Sequence, residues 1–116
     1  MALRNKENAD HYTWGTGCDG WRLLNRPDLS VIHERIPPGR GEVPHYHTRS
    51  GQLFYVLEGR VEIELARQKL QLVAGDSLEI APMQHHCITN TSDADAHFLV
   101  ISSPSTANDR VNLGNE

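Results

Sequence analysis

The chain has 116 residues, enough for one compact domain and too few for two. A net charge of −4, from 11 Lys and Arg against 15 Asp and Glu, leaves no basic stripe of the kind that reads nucleic acid. No apolar run near the N-terminus resembles a signal peptide or a membrane span, so neither nucleic acid nor a membrane is an expected partner, and a small-molecule ligand is the expectation taken up with the motifs below.

A chain of this size buries roughly two-thirds of the surface it exposes when unfolded, so a core forms without disulfide staples. Cys18 and Cys87 are the only cysteines and form no Cys-x-x-Cys or zinc-ribbon pattern. Two lone thiols suit a reducing, cytoplasmic compartment, a Cys18–Cys87 bridge being the alternative.

Residues 1–10 are polar and read as a flexible lead-in. Tyr12, Trp14 and Trp21 follow as aromatic cover or a dimer contact. Residues 28–36 are β-rich and end at Pro37, Pro38 and Gly39. Val31, His33 and Arg35 share a face that could wall a pocket. Residues 53–57 are a buried-type strand closed by Glu58 and Gly59. Val61, Ile63 and Leu65 alternate with Glu62 and Glu64, the period-2 pattern of a half-buried strand. Residues 62–73 are also rich in helix formers, but the strict alternation favours two strands joined near Arg67 and Gln68. Residues 77–80, 86–90 and 97–102 supply three more strands. The Ser-, Thr-, Asn- and Pro-containing end has the composition of a solvated tail, placed at 104–116. Short strands at even spacing give an all-β sandwich or barrel over 11–103.

His45 and His47 lie two apart on an extended segment after Pro44, so both imidazoles project to one face and can grip one ion. Gln52 heads the next strand, where its amide oxygen is a candidate third ligand. A fourth comes from His85 or His86, which have opposite parity. Cys87 has the parity of His85 and reads as a small buried hydrophobe. Arg40 and Arg49 fall near the mouth of such a barrel, with surface roles the simpler assignment.

Residues 39–59 resemble the first motif of the cupin family, G-x5-H-x-H-x(3,4)-E-x6-G, through Gly39, His45, His47 and Gly59, with Gln52 at the Glu position. Residues 75–90 resemble its second motif, G-x5-P-x-G-x2-H-x3-N, through Gly75, His86 and Asn90. Ala81 replaces the motif proline and Met83 its glycine. The resemblance selects His86 over His85. It implies a double-stranded β-helix, or jelly-roll barrel, that holds one divalent metal (Ni, Fe, Mn, Zn or Cu) with His45, His47, Gln52 and His86; a barrel without metal is the alternative. It also implies a homodimer.

A neutral Gln ligand leaves the ion its full +2 charge, which favours an anionic substrate or a bound hydroxide. The set resembles that of small cupins with three His and one Gln that convert unsaturated uronates to linear ketonised sugars. Metal-assisted isomerisation or ketonisation is therefore the leading expectation. A metal-dependent dioxygenase and a non-catalytic sensory or small-molecule-binding barrel are the alternatives. The ligand set contains no general base; a hydroxide on the ion or Tyr55 would have to serve.

Overall fold

The alternation in the sequence becomes a succession of strands with no helix among the described residues, 2–113, of the computed structural model. In chain order they are β1 (Asp10–Trp14), β2 (Cys18–Asn25), β3 (Ser30–Ile36), β4 (His45–His47), β5 (Gly51–Glu58), β6 (Arg60–Leu65), β7 (Gln68–Val73), β8 (Ser77–Ile80), β9 (His86–Thr89), β10 (Ala96–Ser103) and β11 (Arg110–Asn112). One sheet has six strands in the order β1-β2-β3-β10-β5-β8, and the other has five in the order β11-β4-β9-β6-β7. The strand pairs are antiparallel.

The two sheets close over one apolar layer. On β10 the residues Ala96, Phe98, Val100 and Ser102 are buried, while His97, Leu99 and Ile101 face outward. Register carries that parity to the neighbours: Phe98 stands opposite Glu34 on β3, and Val100 opposite Phe54 on β5. Ile63 and Ile88, directly paired, supply the facing wall. Each such fully buried side chain contributes roughly 1.5–3 kcal/mol.

The helix-forming composition of residues 62–73 is overridden by this packing. Val61, Ile63 and Leu72 must reach the core from two adjacent strands, and only a hairpin presents all three. Its turn is Ala66 and Arg67, with φ of 53° and 66°. Positive φ at both central residues matches strand twist in a two-residue turn. The join falls one residue earlier than the sequence suggests.

The aromatic N-terminal stretch is a hairpin, β1–β2, with Tyr12 lying over Gly20 and Trp14 packed against the core. A Cβ on Gly20 would stand 2.3 Å from Tyr12 Cζ, so this crossing requires glycine. The C-terminal segment is not a solvated tail over 104–113: β11 pairs with β4, Leu113 N–H donates to the Pro44 carbonyl at 2.8 Å, and Asp109 is buried. Composition misleads here because the segment docks through backbone and carboxylate hydrogen bonds rather than apolar side chains. Residues 114–116 of that expected tail lie outside the described residues.

The family-pattern departure at Met83 is visible in the backbone, where Met83 has φ of 71°. That left-handed conformation suits glycine and costs a side chain roughly 1–2 kcal/mol. Met83 N–H donates to the His47 carbonyl at 2.7 Å, which ties this strained turn to the strand carrying two of the histidines.

Candidate metal centre

Strand parity turns His45 and His47 of β4 inward, and register sets His45 directly opposite His86 of β9. One ligand nitrogen from each of the three imidazoles lies within 4.8 Å of the others. All three rings are buried. His45 Nδ1 contacts the Val43 carbonyl and His86 Nδ1 the Gln84 carbonyl, each at 2.9 Å. Those carbonyls can only accept, so Nδ1 carries the proton in both rings and Nε2 is left as a free lone pair. Burial pushes the His45 imidazole down to about 3, against the opposing Val43 carbonyl, and pushes His47 and His86 down as well. The cluster is neutral at physiological pH, the form a metal binds.

Gln52 on β5 is buried and donates from Nε2 to Ser102 Oγ at 3.1 Å. Its Oε1 has no hydrogen-bond partner, nor do His47 Nδ1 and His86 Nε2. An unsatisfied buried polar atom costs about 1–3 kcal/mol. Several of them gathered in one barrel interior fit a divalent ion, and an N₃O donor set suits the first-row transition metals. His85, the rejected alternative, stacks on Tyr46 with ring centroids 4.8 Å apart.

Other candidates fall elsewhere. His33 and Arg35 occupy the outer face of the six-stranded sheet rather than a pocket wall. His33 Nε2 meets His97 Nδ1 at 2.9 Å, and Arg35 bridges Asp19 and Asp95. The register with β10 decides this, because both faces of β3 carry polar residues and alternation alone does not say which is inner. Tyr55 also faces outward and is 38% exposed, which removes it as a base. Arg40 is exposed, and Arg49 lies on the surface with Nε 3.8 Å from Asp109. Cys18 and Cys87 are both free thiols.

The inner face of β3 holds what the sequence did not single out. Glu34 projects inward, and Tyr12 donates its hydroxyl to Glu34 Oε2 at 3.2 Å. Glu42, just before β4, is buried too, with Oε1 3.9 Å from His45 Nε2 and Oε2 3.6 Å from Arg110 of β11. Burial raises the Glu34 carboxyl to about 7, opposed by the Tyr12 hydroxyl. Burial and then the Glu34 charge raise Glu42 to about 8. The Arg110 charge is felt at all three imidazoles. No motif marks these residues; Glu34 had only its parity opposite His33 as a signal, and Arg110 sits in the presumed tail.

Asp109 organises the connection from His47 to Gln52. Its carboxylate accepts from the amides of Thr48, Arg49 and Ser50 and from the Thr48 hydroxyl. Asn90, the last residue of the second motif, has a comparable structural task. It donates to the Ile36 and Ala94 carbonyls, both at 2.8 Å, and so closes the turn into β10. A cavity of about 440 Å³ opens beside His86, lined also by Pro44, Leu65, Arg67 and Met83, a volume suited to a small metabolite.

A double-sheet β-barrel with inward histidines on two adjacent strands of one sheet defines a class, and the comparisons with known proteins agree with it. The family model described as Cupin domain matches residues 32–102, and the chain belongs to the cupin family. Polyketide synthase CurC of Streptomyces cyaneus is 34% identical over 67 residues, 58% of this chain and 44% of that protein. The matched segments span between 44% and 67% of the length of the curated relatives. Among solved structures, KdgF from Halomonas sp. superposes with a TM-score of 0.83 at 24% identity, covering 90% of this chain and 94% of that one. A sugar phosphate isomerase of the cupin superfamily from Silicibacter pomeroyi gives a TM-score of 0.75 at 22% identity, covering 90% and 76%. At these identities the structural likeness is one of fold.

Proposed function

We propose that the protein is a metal-dependent enzyme that isomerises or ketonises a small, oxygen-rich, anionic metabolite, with His45, His47, Gln52 and His86 as ligands of one divalent ion. The observation that carries this reading is the convergence of three buried, neutral imidazoles within 4.8 Å. A divalent ion at that point supplies Lewis-acid polarisation of hydroxyl and carbonyl oxygens. These four side chains carry no charge, so an ion held by them would keep its full +2 charge and favour an anion.

Glu34 is the proton-transfer group in this reading. Its carboxyl is poised at about 7, near the working pH of a general base, and Tyr12 holds one of its oxygens while the other can take a proton from a carbon beside a carbonyl. The donor set resembles that of the small cupins that ketonise unsaturated uronates. That resemblance, together with the fold shared with the sugar phosphate isomerase, makes acidic sugars the first substrates to assay.

Turnover of unsaturated uronates by metal-reconstituted protein is the test, run in air and under nitrogen. The expected result is equal turnover in both, loss of bound metal in His86→Ala, and a fall of about 10²–10⁴ in kcat for Glu34→Gln. The limb of the pH–rate profile near neutrality should vanish in Glu34→Gln. Turnover that requires O₂ would replace this reading with a dioxygenase. Metal content unchanged in His86→Ala would overturn the site itself.

A further inference from the structure

The cavity beside His86 is bordered by two strained turns. Among the described residues, the non-glycine positions with positive φ are Ala66, Arg67, Met83 and Asn108. The first three line this one cavity. A side chain in the left-handed region is unfavourable, and positions of this kind cluster where a ligand is gripped. The central places of a two-residue hairpin turn ordinarily go to glycine or asparagine, yet the second is held here by Arg67, with φ of 66°.

Arg67 is exposed, and its guanidinium has no hydrogen-bond or ion-pair partner among the described residues. Arg22, Arg26, Arg35 and Arg110, by contrast, each meet a carboxylate. Arg67 is also the only Lys or Arg lining the cavity. The polar neighbours on that lining are already engaged. Gln84 Oε1 accepts from the Ala81 amide at 2.8 Å, and His85 stacks on Tyr46. Glu64 has the outward parity of its strand and stands across from Lys69 in register.

Register fixes where the free cation stands relative to the histidines. Leu65 pairs directly with His86 across β6 and β9, and the turn begins at the next residue. The other strained turn is anchored as well, since Met83 N–H donates to the His47 carbonyl. A ligand filling the cavity from His86 to the hairpin tip therefore meets one unpaired guanidinium. That planar group takes a carboxylate through two parallel N–H donors.

We propose that Arg67 is the specificity-determining residue of this cavity and receives the carboxylate of the substrate at the hairpin tip. Hydroxyl and carbonyl oxygens of the same molecule are left to the histidine end. The inference rests on the enzyme reading above for the substrate class and deepens it, because the acid group is bound away from the ion.

Two measurements on the full chain test this. In steady-state assays with an unsaturated uronate and its neutral methyl ester, Arg67→Gln should raise KM for the acid about ten-fold or more, as for losing a charge-assisted hydrogen bond, and leave the ester and kcat unchanged. Arg67→Lys keeps the charge but not the two-pronged geometry and should fall between. In NMR titrations of metal-free protein, galacturonate should bind the parent more tightly than galactose does, and Arg67→Gln should remove that preference. Arg67→Gly should match Arg67→Gln in both measurements yet melt no lower than the parent, because glycine tolerates the positive φ. An unchanged KM for the acid in Arg67→Gln, an equal loss for acid and ester, no preference for galacturonate in the parent, or a lower melting temperature in Arg67→Gly overturns the proposal. The two levels separate. No turnover by the parent, together with an Arg67-dependent preference for galacturonate, would sink the enzyme reading and leave the carboxylate site standing. Turnover with KM unchanged in Arg67→Gln would do the reverse.

Discussion

Replacing Asp109 by Asn removes one charge from a buried carboxylate while nearly preserving its shape. Burial alone would raise this carboxyl, but the Thr48 hydroxyl and the amides of Ser50, Arg49 and Thr48 outweigh it and hold it down to about 2, from an ordinary value of 3.8. The side chain is 1% exposed, so solvent screens these bonds little. At about 1.4 kcal/mol for each unit of displacement, the ionised carboxylate stabilises the fold by about 2 kcal/mol. Because the folded value lies below the unfolded one, that stability is fully present above about pH 5. It falls to roughly half by pH 3 and is lost as pH drops through the folded value. Urea denaturation of metal-free protein and Asp109→Asn across this range is the assay, with other titrating groups cancelling in the difference. The two proteins should differ by about 2 kcal/mol at neutral pH and converge on acidification. A difference that stays constant with pH would show that the carboxylate's charge is not what holds the 48–50 loop.

Two further substitutions probe the scaffold. Met83→Gly relieves a φ of 71° and should raise stability by up to about 1 kcal/mol, the gain being trimmed by the greater entropy of glycine in the unfolded chain; a loss in thermal denaturation would mean that the Met83 side chain contributes packing. Phe98→Ala empties a fully buried site facing Phe54, with ring centroids 5.8 Å apart, and should cost about 3–5 kcal/mol in chemical denaturation, whereas a cost below about 1 kcal/mol would place Phe98 outside the core.

The sequence alone determined the strands whose apolar residues alternate strictly. Residues 61–65 could satisfy a one-sided core only as a strand, and their neighbours formed a hairpin despite helix-forming composition. It also determined that His45 and His47 share a face, since side chains two apart on an extended segment point the same way. Tertiary structure decided what alternation leaves open. Register against β10 turned Glu34 inward and His33 outward, a choice that period-2 polarity on both faces of β3 could not make. Long-range backbone pairing brought Arg110 and Asp109 to the site from a segment whose composition reads as solvated. Proximity between positions far apart in the chain, such as Glu42 and Arg110 or Thr48 and Asp109, is a property of closure, because only a barrel that has already formed brings a hydrogen-bond acceptor and its donors from opposite ends of the chain within reach.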